Sequence, residues 1–171
     1  MTKWRGEILH RPPCHNHRVP NFLRFLMLLS LAVWLGGIVF FGAVMAPALF
    51  SILPKRELAG AVVTRTLGGL HWIGIVAAVV FLACSVVATR SIAWRDWLVV
   101  AMLALTLVSQ FGVSRRMQAL RADMVEIDAV AHSDPRRVEF NRLHRISTGL
   151  EQAVLLLGLV VLWSAAREPR S

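Results

Sequence analysis

Apolar and polar positions in this chain fall into long blocks. The first runs from Phe25 to Phe50, LMLLSLAVWLGGIVFFGAVMAPALF after its first Phe, and no charge follows until Pro54 has passed. A helix rises about 1.5 Å per residue and a bilayer's hydrocarbon core is about 30 Å thick, so about 20 apolar residues cross it. The block spans a membrane with some tilt. With lipid as solvent, the backbone polar groups of the other apolar runs need internal partners, and those runs are read as helices too.

The uncharged run Thr66 to Thr89 predicts a second span at about 70–89, with His71 and Trp72 at its entrance and a connection over 51–69 before it. Arg90 and Arg95-Asp96 bound a short turn, so spans two and three are antiparallel neighbours. Trp97 to Ser114 gives 18 uncharged residues, a third span at 97–114 that carries Thr106, Ser109 and Gln110. Beyond it Met117, Leu120, Met124, Ile127 and Ala131 recur at intervals of three and four among charges, which predicts an amphipathic helix continuing into water. Ser133-Asp134-Pro135 reads as a stop and restart, because Asp134 can accept from the free amides of a new helix and Pro135 suits its first position. Only 15 uncharged residues separate Glu151 from Arg167, too few to cross, so a fourth span at 146–166 draws Glu151 into the membrane or its interface.

The predicted fold class is all-α: a polytopic membrane protein, a four-helix transmembrane bundle with an extramembrane helical hairpin (115–145) between spans three and four. Residues 1–21 form a flexible basic tail and 167–171 a C-terminal one. Small residues at Ala32, Gly36, Gly42, Ala43 and Ala46, and at Gly74, Ala78 and Ser85, predict close helix packing, with Gly36-Gly37 as a notch. Pro47 removes a backbone donor and predicts a kink or an end to the first helix.

Composition supports this reading. Of 171 residues 56% are hydrophobic and 17% charged, against about 25% charged in globular domains. A net charge of +9 would suggest nucleic acid in a soluble protein. Here the basic residues flank the apolar blocks, where anionic headgroups and topology account for them, so the bilayer is the expected partner and nucleic acid is not. Five basic residues precede the first span and three follow it, which tilts the expected orientation towards both termini cytoplasmic. The first apolar run is too long for the core of a cleaved signal peptide. Cys14 and Cys84 give no disulfide framework, and His10, Cys14, His15 and His17 lack zinc-site spacing.

Four alternating spans bring the ends of helices one and three and the starts of two and four to one surface. His71, Gln110, His144 and Glu151 therefore share a depth, and His144, Ser147 or Thr148, and Glu151 share a helix face. One reading makes His71 and His144 axial haem ligands, or copper or zinc ligands with Glu151 assisting. The plainer reading has His144 and Asn141 hydrogen-bonding neighbouring helix ends and Glu151 pairing with Arg145 or Arg121. Either arginine beside Glu151 could hold a lipid phosphate. A channel or transporter would need oligomerisation, since no inverted repeat is visible. No phosphate loop, nucleophile elbow or working carboxylate pair points to an enzyme. The leading expectation is a non-catalytic bundle that forms a homo-oligomer or assembles with another membrane protein.

WLGGIVFFGAVMAPALF in the first span, MQALRA after the third and FNRLHRISTGL leading into the fourth resemble the bacterial domain-of-unknown-function family grouped with transmembrane protein 205, over roughly residues 22–166. The WLGG motif also occurs in the copper resistance protein D family. The resemblance implies a four-helix protein of the bacterial inner membrane with no established chemistry. Arg121, Asn141, His144 and Ser147 match its loop and fourth-span pattern.

Overall fold

The computed structural model describes residues 21–123, 131 and 133–167, with Arg56 and Asp123 described in their backbone only. Helix α1 (Asn21–Phe40) passes through a π-helical turn, Phe41–Met45, into α2 (Ala46–Ile52), and α3 (Arg56–Thr89) returns. Helix α4 (Trp94–Leu107) runs through a second π-helical stretch, Val108–Ser114, into α5 (Arg115–Asp123), and α6 (Pro135–Ala166) closes the bundle. Four stretches are long and apolar enough to cross a membrane: Asn21–Ile52, Glu57–Thr89, Trp94–Ala122 and Pro135–Ala166.

The four form a ring in which α1 packs on α3, α3 on α4, α4 on α6, and α6 back on α1, so each neighbour pair is antiparallel. The core is a column of Leu31, Trp34, Leu35 and Ile38 against Leu70, Ala77, Ala78 and Phe81, closed by Val99, Met102, Val154 and Val161. Small residues set how closely these helices approach. A Cβ on Gly74 would overlap the indole of Trp34, and one on Gly158 would overlap Leu35. A Cβ on Gly37 would meet Leu70 Cδ1 at 2.8 Å. Trp34, too deep for an interfacial belt, is thus a packing residue, 2% exposed and seated on the next helix. Of the predicted Gly36-Gly37 notch only Gly37 packs internally, because Gly36 faces outward with nothing within 4 Å. Outward-facing Val33, Val87 and Leu156 suit a hydrocarbon surround.

The connection predicted over 51–69 is much shorter. Leu53 is extended before Pro54, as residues before proline tend to be, and the helix restarts at Arg56. Charge at Arg56, Glu57 and Arg65 marks where apolar surroundings end; it does not stop a helix, and Glu57 in the first turn suits the macrodipole. Past Ser114 the helix continues to Asp123, as the apolar stripe after the third span leads one to expect. The stop and restart at 133–135 is present: Asp134 Oδ1 accepts from Arg136 N at 2.8 Å, with Pro135 at the first position of α6. Met124 and Ile127 of the predicted stripe, and His10, Cys14, His15 and His17, lie outside the described residues.

Pro47 neither ends the helix nor leaves it regular. Proline has no N–H to offer the carbonyl four residues earlier, and just upstream Ala46 N–H bonds to Phe41 O, a π-type contact. At the other end of the bundle α3 closes on Arg90, which holds a left-handed conformation (φ 51°) while its N–H bonds to Val86 O. Helix α4 then opens with Asp96 Oδ2 accepting from Ala93 N at 2.7 Å.

Candidate functional site

The two π-helical stretches flank the most polar part of the interior. The second presents Gln110 from α4's continuation, α3 presents His71, and α6 presents Glu151. His71 Nδ1 lies 2.7 Å from Gln110 Oε1, and its Nε2 lies 2.6 Å from Glu151 Oε1. The imidazole is 1% exposed, and the Glu151 side chain is 17% exposed.

Gln110 Oε1 can only accept, so Nδ1 donates to it, and Nε2 faces the Glu151 carboxyl. The acid thereby has the hydrogen-bond partner that an intramembrane carboxyl needs.

Glu151 also lines a cavity of about 950 Å³ between the first span, α3, α5 and α6. One wall is apolar: Ile38, Val39, Phe41, Ala43, Ala46 and Phe50 of the first span. The facing wall is polar, with Glu57 and Thr64 of α3, Arg121 of α5, and Arg137, Asn141, His144, Ser147, Glu151 and Gln152 of α6. Along the helices, Leu67, Leu70 and Leu155 stand at the end nearest the bundle core, beside Glu151 and Gln152, and Glu57, Arg121 and Arg137 stand at the opposite end.

Arg121 is seated by residues the sequence reading passed over. A Cβ on Gly60 would overlap its guanidinium, whose Cζ would be 3.0 Å away. Its Nη1 donates to Thr64 Oγ1 at 3.2 Å, and the same hydroxyl donates to Gly60 O at 2.7 Å. The guanidinium carbon lies 5.7 Å from the Phe140 ring centroid. Gly60 and Thr64, one helical turn apart, were concealed by the expectation of a connection over 51–69. Helical spacing of small and hydroxyl residues was the available signal.

The residues singled out from sequence therefore divide. His71, Gln110 and Glu151 are joined by hydrogen bonds. Arg121, Asn141, His144 and Ser147 lie on the cavity wall. Ser147 is buried, whereas His144 and Asn141 are exposed. His144 forms no hydrogen bond with His71, and both ring nitrogens of His71 are already engaged. Among the described residues no group of three or more His, Cys, Asp or Glu side chains is disposed to hold a metal ion. This donor set does not present two facing imidazoles with free lone pairs, so it does not fit axial haem ligation as it stands.

An all-helical bundle with four membrane-length apolar helices, holding a hydrogen-bonded His–Glu pair beside a lateral cavity, is compatible with a multi-pass membrane protein. The chain belongs to a family known only by description, Domain of unknown function (DUF4149), which it matches over residues 29–126. No curated protein and no solved structure matches it.

Proposed function

We propose that this is an integral membrane protein whose bundle is non-catalytic and works by binding: it takes an amphiphilic molecule into the cavity between the first span, α3, α5 and α6. The observation that carries this reading is the cavity's division into an apolar wall and a polar one. Ligand sites characteristically have apolar linings with a few placed polar groups and volumes of about 300–1,000 Å³. An amphiphile's chain matches one wall and its head the other. Replacing Ala46, on the apolar wall, with Trp fills the space. Mass analysis of the protein released from mild detergent should then find a bound amphiphile on the unmodified chain and about tenfold less on Ala46→Trp, a loss of about 1.4 kcal/mol in binding. Equal occupancy of the two would count against the reading.

The bundle's expected self-association keeps one supporting observation. Ala32 and Gly36, four residues apart, are both exposed on α1, and Gly36 has open space in front of it. Small residues so spaced let helices approach closely in lipid. Crosslinking in membranes should give a dimer that Gly36→Leu removes. The metal or haem alternative through His71 and His144 would require His71 to release Gln110 or Glu151 first. Grouping with transmembrane protein 205, residence in the bacterial inner membrane and cytoplasmic termini complete the proposal; they rest on the sequence motifs and the basic residues before the first span.

A further inference from the structure

The charges on the cavity wall sort into compensated ones and one that is not. Glu151 is paired with His71 across 2.6 Å. Glu57 and Arg137 each have an interaction partner. Arg121 is different. Its hydrogen-bond partner is the neutral hydroxyl of Thr64, its ring contact is Phe140, and its Nε–H is buried with no acceptor. Among the described residues no carboxylate forms an ion pair with it, and Glu57 acts on it only through space.

A guanidinium stays charged in proteins, and its fork of donors matches the oxygens of a carboxylate or phosphate. This one is also held in place, because Gly60 leaves room for it against α3 and Thr64 fixes one nitrogen. Ten residues of α3 separate Gly60 from Leu70 at the apolar end, a length of about 15 Å along the helix. An apolar chain can run that distance below the head.

We propose that Arg121, seated on Gly60 and Thr64, is the head-group site of the cavity and selects an anionic membrane amphiphile, its phosphate or carboxylate on the guanidinium and its chain directed towards Leu70 and Leu155. The head pairs with the guanidinium, whose charge no carboxylate among the described residues answers by an ion pair. Basic pockets between membrane helices characteristically take anionic head groups. This inference rests on the reading of the cavity as an amphiphile site.

The test is retention of phosphatidylglycerol against phosphatidylcholine with identical chains, measured by mass analysis of the full chain released from nanodiscs. The expected preference for phosphatidylglycerol is about five- to tenfold, the scale of one basic contact. It should fall to near unity in Arg121→Gln and persist in Arg121→Lys. Equal retention of both lipids by the unmodified chain, still abolished by Ala46→Trp, overturns the head-group assignment and leaves the cavity reading intact. Retention of neither lipid overturns both. Displacement of phosphatidylglycerol by millimolar inorganic phosphate alone shows a free-anion site and overturns the lipid assignment. If Arg121→Gln does not fold, Gly60→Ala, whose Cβ displaces the guanidinium, must lower the same ratio; an unchanged ratio there overturns the proposal.

Discussion

His71 Nε2 and Glu151 Oε1 approach to 2.6 Å across the middle of the bundle, from the diagonally placed α3 and α6, while Gln110 holds the other side of the imidazole. Eighty positions apart in sequence, the two residues are joined by one short hydrogen bond. The imidazole is enclosed and the carboxyl reaches the cavity wall, so the contact joins the bundle interior to the cavity.

Removing one member of this pair strands the other. His71→Ala and Glu151→Ala are each expected to lower stability by about 1–3 kcal/mol, the cost of an unsatisfied buried polar group. The double variant is expected to lose less than the sum, with a coupling of about 0.5–3 kcal/mol. Thermal unfolding of the four proteins in one detergent measures it. Strict additivity would mean that the contact contributes nothing in membrane-like surroundings.

The Trp34–Gly74 contact sets the spacing of the first two spans. Gly74→Ala replaces a poor helix former with the best one, a gain of about 1 kcal/mol in isolation. The added methyl overlaps an indole that is 2% exposed. Overpacking costs about 1–3 kcal/mol, and with no space for Trp34 to withdraw the clash should win. Gly74→Ala should therefore melt lower than the unmodified chain and recover in Gly74→Ala/Trp34→Leu.

At the turn between α3 and α4 the sign reverses. Arg90 is exposed and left-handed, a conformation that costs a side-chain-bearing residue about 1–2 kcal/mol and costs glycine none. Arg90→Gly should raise the melting temperature, read by differential scanning of the detergent-solubilised protein. An unchanged or lower value would show that the side chain makes a compensating contact.

Asp134 carries a pH dependence. The side-chain hydrogen bond from Arg136, aided by the backbone N–H of the same residue, holds its carboxyl below its ordinary value. A depressed folded value means the stabilisation is complete above the usual carboxylate range and is lost as pH falls through that lower value. Amide exchange in the first turn of α6 should accelerate over that acid window, and Asp134→Asn should remove the dependence while keeping the cap. Exchange independent of pH, after correction for intrinsic rates, would contradict it.

Much of the fold was legible because lipid-length apolar runs have few alternative structures. The blocks around Trp34, Ala78, Met102 and Val161 became the packed helices, and Asp134-Pro135 marked a true helix start. Helix ends were less legible. Lys55, Arg56, Arg65 and Gly68-Gly69 suggest a connection, yet all but Lys55 lie within α3. That expectation hid Gly60 and Thr64, and with them the seat of Arg121. Nor could the π-helical stretches be read: Pro47 signalled trouble in the first helix, but no comparable residue announces the second. That stretch carries Gln110, so the partner of His71 Nδ1 depends on a register shift that spacing alone does not reveal.

The central claim, that the cavity takes an amphiphile, is tested most directly by mapping where one sits. A phospholipid bearing a photoreactive group at the end of one chain should, after illumination in membranes and peptide mass analysis, label Phe41, Leu67 or Leu155 inside the cavity, and Ala46→Trp should abolish that labelling. Labels confined to the outward faces, at Val33, Val87 or Leu156, and indifferent to Ala46→Trp, would contradict the account.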